Sequence, residues 1–376
     1  MFERVRHMLV KEFIQVLRDP RMKGVIFVMP LVQLMVFGYA VTTDVRHIRT
    51  AVYDLDNSVA SRELVARFEE SGYFDIVRRI SGEGEVSSLL DHGKVQAVLR
   101  MNHGFEDTLR SGRAAGLQII VDGTDSNTAG VILGYGAKIA GQFSRKALAA
   151  RLTRLAGVYP QPPEVDLQTR AWFNENLESR NFYVPGVIAI LTMLVTLMLT
   201  SMAIVREKEI GTMEQIMVTP ITPTEFILGK TVPFALIAFA DVVVISLVAA
   251  LWFQVPVRGN LLLLFIATAL YLMTALGIGL LISTVSRTQQ QAMMTTFFFF
   301  FPAVLLSGFM FPIANMPKVI QWLTCLNPLR YYLVIVRGIF LKGVGPVVLW
   351  PQMVVLGVMG MAVLWLASKR FRKTIA

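Results

Sequence analysis

The chain has 376 residues, 54% of them hydrophobic and 16% charged, with a formal net charge of +10. So apolar a composition excludes a soluble globular or disordered chain and points to several membrane-crossing segments. The single cysteine, Cys325, excludes an internal disulfide and a cysteine-based zinc cluster. Charge is unevenly placed: residues 44–181 hold 17 basic and 18 acidic residues, and the remainder holds 19 and 8. The basic excess therefore flanks apolar segments, and no basic folded face of the kind that binds nucleic acid is visible.

Residues 1–23 carry Arg4, Arg6, Lys11, Arg18, Arg21 and Lys23, with Val5, Met8, Leu9, Phe13, Val16 and Leu17 at helical spacing. The pattern predicts an amphipathic helix lying in the cytoplasmic membrane interface, its bases towards anionic headgroups. Residues 24–43 form the first expected span. Its charged lead and long apolar run mark an uncleaved anchor rather than a signal peptide. In residues 44–181, apolar runs alternate with amphipathic stretches, which predicts an inserted α/β domain. The expected strands are 50–53, 74–80, 95–100 and 117–121; the expected helices are 58–70, 83–91, 103–110 and 128–155. Leu64 and Phe68 share a helix face, as do Phe105 and Leu109, and Gly72 and Gly112 suit C-terminal caps.

Further spans are expected at 182–205, 226–253, 261–285, 292–311 and 344–367, each long enough for a bilayer core that takes about 20 apolar residues. Residues 312–343 are too polar and proline-broken for a simple span; 315–325 and 328–341 read as two short helices dipping back from the outer face. Residues 368–376 are a basic tail with Lys369, Arg370, Arg372 and Lys373. With both ends cytoplasmic, the short inner segments hold 13 basic residues and the outer ones 5, so the positive-inside rule favours six spans with N and C termini inside and 44–181 outside.

Residues 206–225 form a polar loop between two long apolar runs. Glu207, Lys208, Glu209 and Glu214 place charge on a short helical segment, with Ile210, Met213 and Met217 on another side, and acids early in such a segment suit the positive end of its dipole. Pro220 breaks that helix, and Thr222-Pro223-Thr224-Glu225 reads as a capping box with proline at N1.

The order E-K-E-x-G-T-x-E-Q, then T-P-I, then G-K at the next span resembles the ABC-2 type permease family, the membrane subunits of a class of ATP-driven exporters. The matching positions are Glu207, Glu209, Gly211, Thr212, Glu214, Thr219, Pro220, Gly229 and Lys230. The run from Trp172 to Arg180 followed by Pro185-Gly186 is also similar, although the family more often has proline where Glu175 stands. The resemblance covers nearly the whole chain. It implies an α-helical polytopic membrane protein in the bacterial inner membrane, in which Glu207, Glu209, Gly211, Thr212, Glu214, Thr219 and Pro220 couple to a cytoplasmic ABC ATPase subunit. It also implies a second permease copy or a paralogue, contact with membrane lipid, and lipophilic or amphipathic cargo such as drugs; the large outer domain suggests contact with a periplasmic adaptor or with a substrate leaving the membrane.

The residues themselves carry no enzyme. Gly229-Lys230-Thr231 ends like a phosphate-binding loop, but Thr224 stands where the first glycine belongs and no strand precedes it, so ATP is bound by a partner subunit and no cofactor is expected on this chain. Gly82 and Gly84 have the spacing of half a dinucleotide turn, yet Glu83 and Glu85 would repel a pyrophosphate. Asp91, His92 and His103 fit no metal-ligand spacing. No Asp or Glu follows residue 241, so the last third has no acid–base pair.

Asp241 stands in mid-span, where an ionisable group is costly and marks a functional candidate or a bonded structural acid. Phe297 and Phe300, within the run 297–301 beside Met293 and Met294, are further candidates for a lipophilic translocation path. Gly277 and Gly279 permit close helix packing. Two other readings compete with an exporter subunit: a sensor with an outer ligand domain, which leaves the loop at 206–230 unexplained, and an ion-coupled carrier using Asp241, which would want more buried acids and an internal repeat.

Overall fold

A computed structural model of the protein describes residues 2–18, 20–40, 47–156, 172–174, 178–212 and 222–375. Glu175, Glu214, Thr219, Pro220 and the proline-rich turn at 160–163 lie outside the described residues. The chain divides into two compact units, one of Met1–Thr42 with Arg170–Ala376 and one of Thr43–Thr169.

In the second unit, strands β1 (Ile48–Asp54), β2 (Phe74–Arg79), β3 (Ala97–Met101) and β4 (Leu117–Val121) form one sheet in the order β2-β1-β3-β4. β1 runs parallel to β2 and β3, and β4 closes the edge antiparallel. The parallel pairs need helical crossovers, supplied by the helices Val59–Glu70 and Glu83–Asp91. Alternation along β1 and β3 divides the core. Ile48, Val52, Ala97, Leu99 and Met101 pack with Leu64, Phe68, Ile132 and Phe143 on one face. Ala51, Tyr53 and Val98 pack with Val86 and Leu89 on the other. Every expected strand and helix forms here within a few residues of its predicted ends, and Gly72 and Gly112 take φ of +72° and +77° at helix ends.

One side chain ties this unit's loops together. Asp56, just past β1, accepts from the backbone N–H of Gly104, Phe105 and Glu106 at 2.7, 3.1 and 3.0 Å, capping the helix Phe105–Arg110 across about 50 residues of sequence.

The first unit is helical. In chain order its long helices are α1 (Phe2–Arg18), α2 (Ser179–Ile210), α3 (Pro223–Leu251), α4 (Leu261–Val285), α5 (Gln289–Leu305) and α6 (Pro346–Ile375). Among the described residues four helices are long and apolar enough to cross a membrane, or five if the bent pair Lys318–Thr324 and Pro328–Lys342 counts as one. That pair is bent by 79°, so residues 312–343 do contain two short helices at a sharp angle. α2 is the centre: 83% of its apolar window is buried, against 17% for α6. Its Thr192, Thr196 and Thr200 hydroxyls donate to the carbonyls four residues back at 2.6–2.7 Å, so polar groups pass through the core without needing partners elsewhere. α6 exposes Trp350 and Trp365 near its two ends, the placement of interfacial aromatic residues on a spanning helix.

Three expected elements differ. The segment 24–43 is not one regular helix: a π-turn at Gly24–Val28 leads into Met29–Ala40, and the apolar helix Ile26–Tyr39 is about 21 Å long, short of a bilayer core. The fifth expected span, 292–311, stops at Leu305. There the Ser307 hydroxyl donates to Val304 O and accepts from Phe309 N, and Gly308 takes φ +82°, which turns the chain. The loop expected from Arg206 does not begin there, because α2 continues as helix to Ile210.

Helix approach is set by two glycines of α4. A Cβ on Gly279 would lie 2.7 Å from Thr200 Cβ of α2, and one on Gly277 would lie 2.9 Å from Val363 and 3.1 Å from the backbone of Leu364 in α6. Gly279→Val is expected to destabilise the detergent-solubilised protein by about 1–3 kcal/mol, read as a lowered thermal midpoint. Gly130→Ala, in a helix with open space around it, is expected to raise stability by about 0.5–1 kcal/mol; equal midpoints would refute the packing argument.

The Ser58 hydroxyl holds the Asp56 carboxyl below its ordinary value of 3.8; burial, next in size, opposes it, and the N–H groups of Glu106, Gly104 and Phe105 each add to the lowering. A lowered folded value means the stabilisation is complete above pH 3.8 and fades as pH falls through the folded value. Amide exchange at residues 104–106, corrected for intrinsic rate, is expected to lose protection below that pH in the parent. In Asp56→Ala the protection should be weaker at all pH values and no longer respond to pH in that range.

Candidate functional site

Where α1, the end of α2 and the start of α3 meet, four charges are gathered. Lys230, 2% exposed, places its ammonium 2.6 Å from Glu207 Oε1 and 2.7 Å from Glu12 Oε1. The half-exposed Lys11 donates to the same Glu207 oxygen at 3.0 Å. The other Glu207 oxygen accepts from the Thr212 hydroxyl. Two acids and two bases thus neutralise one another, three of them buried, with Lys11 and Glu12 from α1, Glu207 from α2 and Lys230 from α3. Charges taken out of water are tolerable only on such terms.

Local sequence builds each side of this site. α3 opens at Thr222, whose side chain accepts from Glu225 N while Glu225 accepts from Thr222 N, with Pro223 following; the expected capping box is present. It starts the helix so that Gly229 and Lys230 fall two turns in. A Cβ on Gly229 would stand 2.7–3.0 Å from Met8 of α1, so only glycine lets α1 lie against α3 here. α2 ends on Gly211, whose φ of +81° closes the helix and turns Thr212 back onto Glu207. One turn before this end, the Ser283 hydroxyl of α4 accepts from the backbone N–H of Ile204 and Val205 at 3.1 and 3.2 Å. On the outer side of the same end, Glu209 holds the Gln289 side chain at the start of α5.

This arrangement revises the expectation for the acids. Glu207 and Glu209 sit in the last turn of α2, at the negative end of its dipole, not at the start of a separate helix. Glu207 is buried rather than displayed; Glu209, Ile210 and Gly211 are exposed. Glu214, Thr219 and Pro220 fall outside the described residues. Glu12, Lys11 and Met8 were missed as site residues. A signal for Glu12 was there: it interrupts the apolar stripe of Met8 and Val16 at four-residue spacing, and an acid on a buried stripe needs a cation.

The path candidates are elsewhere. Asp241 is 3% exposed on the inward side of α3, one turn from Ala238 and Ile245, and its Oδ2 has no hydrogen-bond partner among the described residues. Phe300 packs into the main core and Phe297 is half-buried, whereas Phe298 and Phe301 are the outward members of the run. A cavity of about 560 Å³ lies beside Lys230 instead, and Asp241, Phe297 and Phe300 do not line it.

A profile of the ABC-2 family of transporter proteins matches residues 24–369. The chain belongs to the ABC-2 transporter permease family. It is 32% identical over 379 residues to the probable multidrug ABC transporter permease YbhR of Escherichia coli K12, covering all of both chains. It is 34% identical over 376 residues to the probable multidrug permease YbhS of the same strain, covering 98% of this chain and 97% of that one. A third relative, the inner membrane transport permease YhhJ of that strain, is 29% identical over 334 residues, 86% of this chain and 85% of its own. With its long apolar helices, the ABC-2 chain is a multi-pass membrane protein.

Lys230→Met leaves two carboxylates facing each other without their shared cation. It is expected to cost about 3–5 kcal/mol, measured as the thermal midpoint in detergent. A double-mutant cycle of Glu12→Gln with Lys230→Gln should return a coupling well above the error of single changes. A Lys230→Met protein as stable as the parent would dismiss the ion cluster as a structural tie.

Proposed function

We propose that the chain is the permease subunit of an ATP-driven exporter that carries lipophilic or amphipathic compounds, drugs among them, out across the inner membrane. ATP is bound and hydrolysed by a separate cytoplasmic subunit, and two permease chains, alike or paralogous, work with two such subunits. The observation that carries the reading is the ion cluster at Lys230. It fastens the N-terminal helix, the end of the most buried helix and the start of the next into one block, at the loop where the family motif lies.

In this mechanism the polar segment 206–225 docks on the ATPase through Glu209, Gly211 and the residues 213–220, while Glu207 and Lys230 hold the block together from behind. Closure of the ATPase pair pushes the block as a rigid body. Because α2 packs against most of the other helices, moving its end shifts the bundle and opens a path. In this reading the chain has six spans, counting the short helices at 26–39 and 289–305, which brings both termini to one side, taken as the cytoplasm, with residues 44–181 outside, where that unit can meet a periplasmic adaptor or departing cargo. The charge bias across the short segments supports this orientation. Asp241 serves as a path residue that is closed off in this state.

Pull-down of the full-length chain is expected to bring a cytoplasmic ATPase with it, and Glu209→Lys combined with Glu214→Lys to reduce that recovery at least tenfold. Lys230→Gln should keep the ATPase bound but lower ATP-driven export more than ATP hydrolysis. Absence of any ATPase partner would sink the proposal and favour an outer-ligand sensor. Asp241→Asn is expected to lower export several-fold at unchanged expression; unchanged export would return that residue to a purely structural role.

A further inference from the structure

The cavity beside Lys230 has an unusual wall. Of its apolar lining, four residues are methionines: Met22 after α1, Met198 and Met202 on α2, and Met293 on α5. Unbranched, polarisable thioethers re-pack around different shapes, so a methionine wall accepts an apolar body without specifying its outline. Its volume of about 560 Å³ falls in the range of small-molecule sites, and it is too small to enclose both chains of a bilayer phospholipid.

The charges that line the cavity are Glu12, Lys230 and Arg206, and they do not cancel. Glu12 and Lys230 stand against each other within the ion cluster. Glu209, outside the lining, is held by the neutral Gln289 side chain. That leaves Arg206 as the excess charge of the lining. Its Nη1 reaches Met22 Sδ at 3.4 Å, a weak acceptor, and among the described residues no carboxylate stands within ion-pair distance of it. A guanidinium at the edge of an apolar chamber, with donors to spare, selects a carboxylate, sulfonate or phosphate, which it can grip with two parallel hydrogen bonds. A cationic amphiphile would meet repulsion in the same place.

We propose that this cavity binds amphipathic organic anions, with the headgroup on Arg206 and the apolar body against Met22, Met198, Met202 and Met293. Resting on the permease reading, the site names a cargo class: drug-sized or single-chain anions. The sequence order Val205-Arg206-Glu207 explains how one turn serves two purposes. Glu207 points into the ion cluster and Arg206 into the chamber, so an occupied chamber touches the element that the cluster fastens.

Site-specific thiol labelling tests this on the full chain. With Cys325→Ser and Met202→Cys in phosphatidylcholine nanodiscs, octyl sulfate is expected to slow alkylation by N-ethylmaleimide at least threefold, and octyltrimethylammonium to leave it unchanged. Arg206→Gln should abolish the protection and Arg206→Lys should keep most of it, each read against the variant's own rate without amphiphile, so that a loosened fold is not mistaken for lost binding. Equal protection by both headgroups, or protection that survives Arg206→Gln, overturns the proposal. Protection by phosphatidylglycerol added to the nanodisc, as strong as that by octyl sulfate, assigns the site to membrane lipid and overturns the cargo assignment. Labelling needs neither ATP nor a partner. A chain that shows the headgroup selectivity yet exports nothing would therefore refute the permease reading and leave the binding site standing.

Discussion

Lys230 is 2% exposed, and two carboxylates far apart in the sequence, Glu12 and Glu207, stand beside its ammonium. Neither helix that meets there is electrostatically comfortable alone. α2 carries Glu207 and Glu209 at its negative end, against the dipole preference, and α3 carries a buried lysine two turns in, where burial rather than the dipole disfavours the charge. The acid of one helix end and the lysine of the other offset each other when they come together with Glu12. The pairing is thus conditional on assembly. Separate any one of the three helices and the remaining charges become a burden of several kcal/mol rather than a tie. A junction of that kind is stiff while it is whole, which suits an element that must pass a displacement on rather than absorb it.

The same junction shows what a single sequence could and could not reveal. The capping box at Thr222 and Glu225 lies within four residues and obeys a local rule, and it was legible; so were the strands and helices of the α/β unit, whose period-two and helical alternations repeat over short distances. The ion pair between Glu12 and Lys230 spans more than 200 residues, and no pattern within either helix names the partner. Gly229 and Lys230 were visible as motif letters, but their reasons, contact with Met8 and the two carboxylates, exist only once α1 is laid across α3. The end of α2 was misjudged for a related reason. Charge at Arg206–Glu209 looks like a loop if water is assumed to solvate it, and like the last turn of a helix once protein partners do.

Span count was blurred by packing rather than by pattern. Hydropathy marks where apolar residues run, but a turn needs a hydroxyl or a glycine in the right place, and Ser307 with Gly308 ends α5 inside an apolar stretch. Hydropathy likewise cannot tell α2, wrapped on nearly all sides, from α6, which leaves most of its surface open. Small polar chemistry lets α2 be surrounded: a ladder of threonines is bonded to its own helix, and Gly279 opposite it on α4 leaves room for close approach.

Arg206 and Glu207 are neighbours with opposite duties, and their adjacency constrains how binding and work can communicate. Successive helix residues point about 100° apart, so one side chain can face the chamber while the next faces the ion cluster, yet both ride on the same rigid turn. A ligand pulling on Arg206 must act on the backbone that positions Glu207, and any displacement of Glu207 through α1 or α3 must alter the mouth of the chamber. The linkage is reciprocal as a matter of thermodynamics: whichever ligand headgroup stabilises this arrangement of the three helices also raises the cost of leaving it. On the proposed reading, coupling between cargo and partner would need no long relay through the bundle, since Arg206 and Glu207 share one turn of α2, closed by Gly211 and anchored at Ser283.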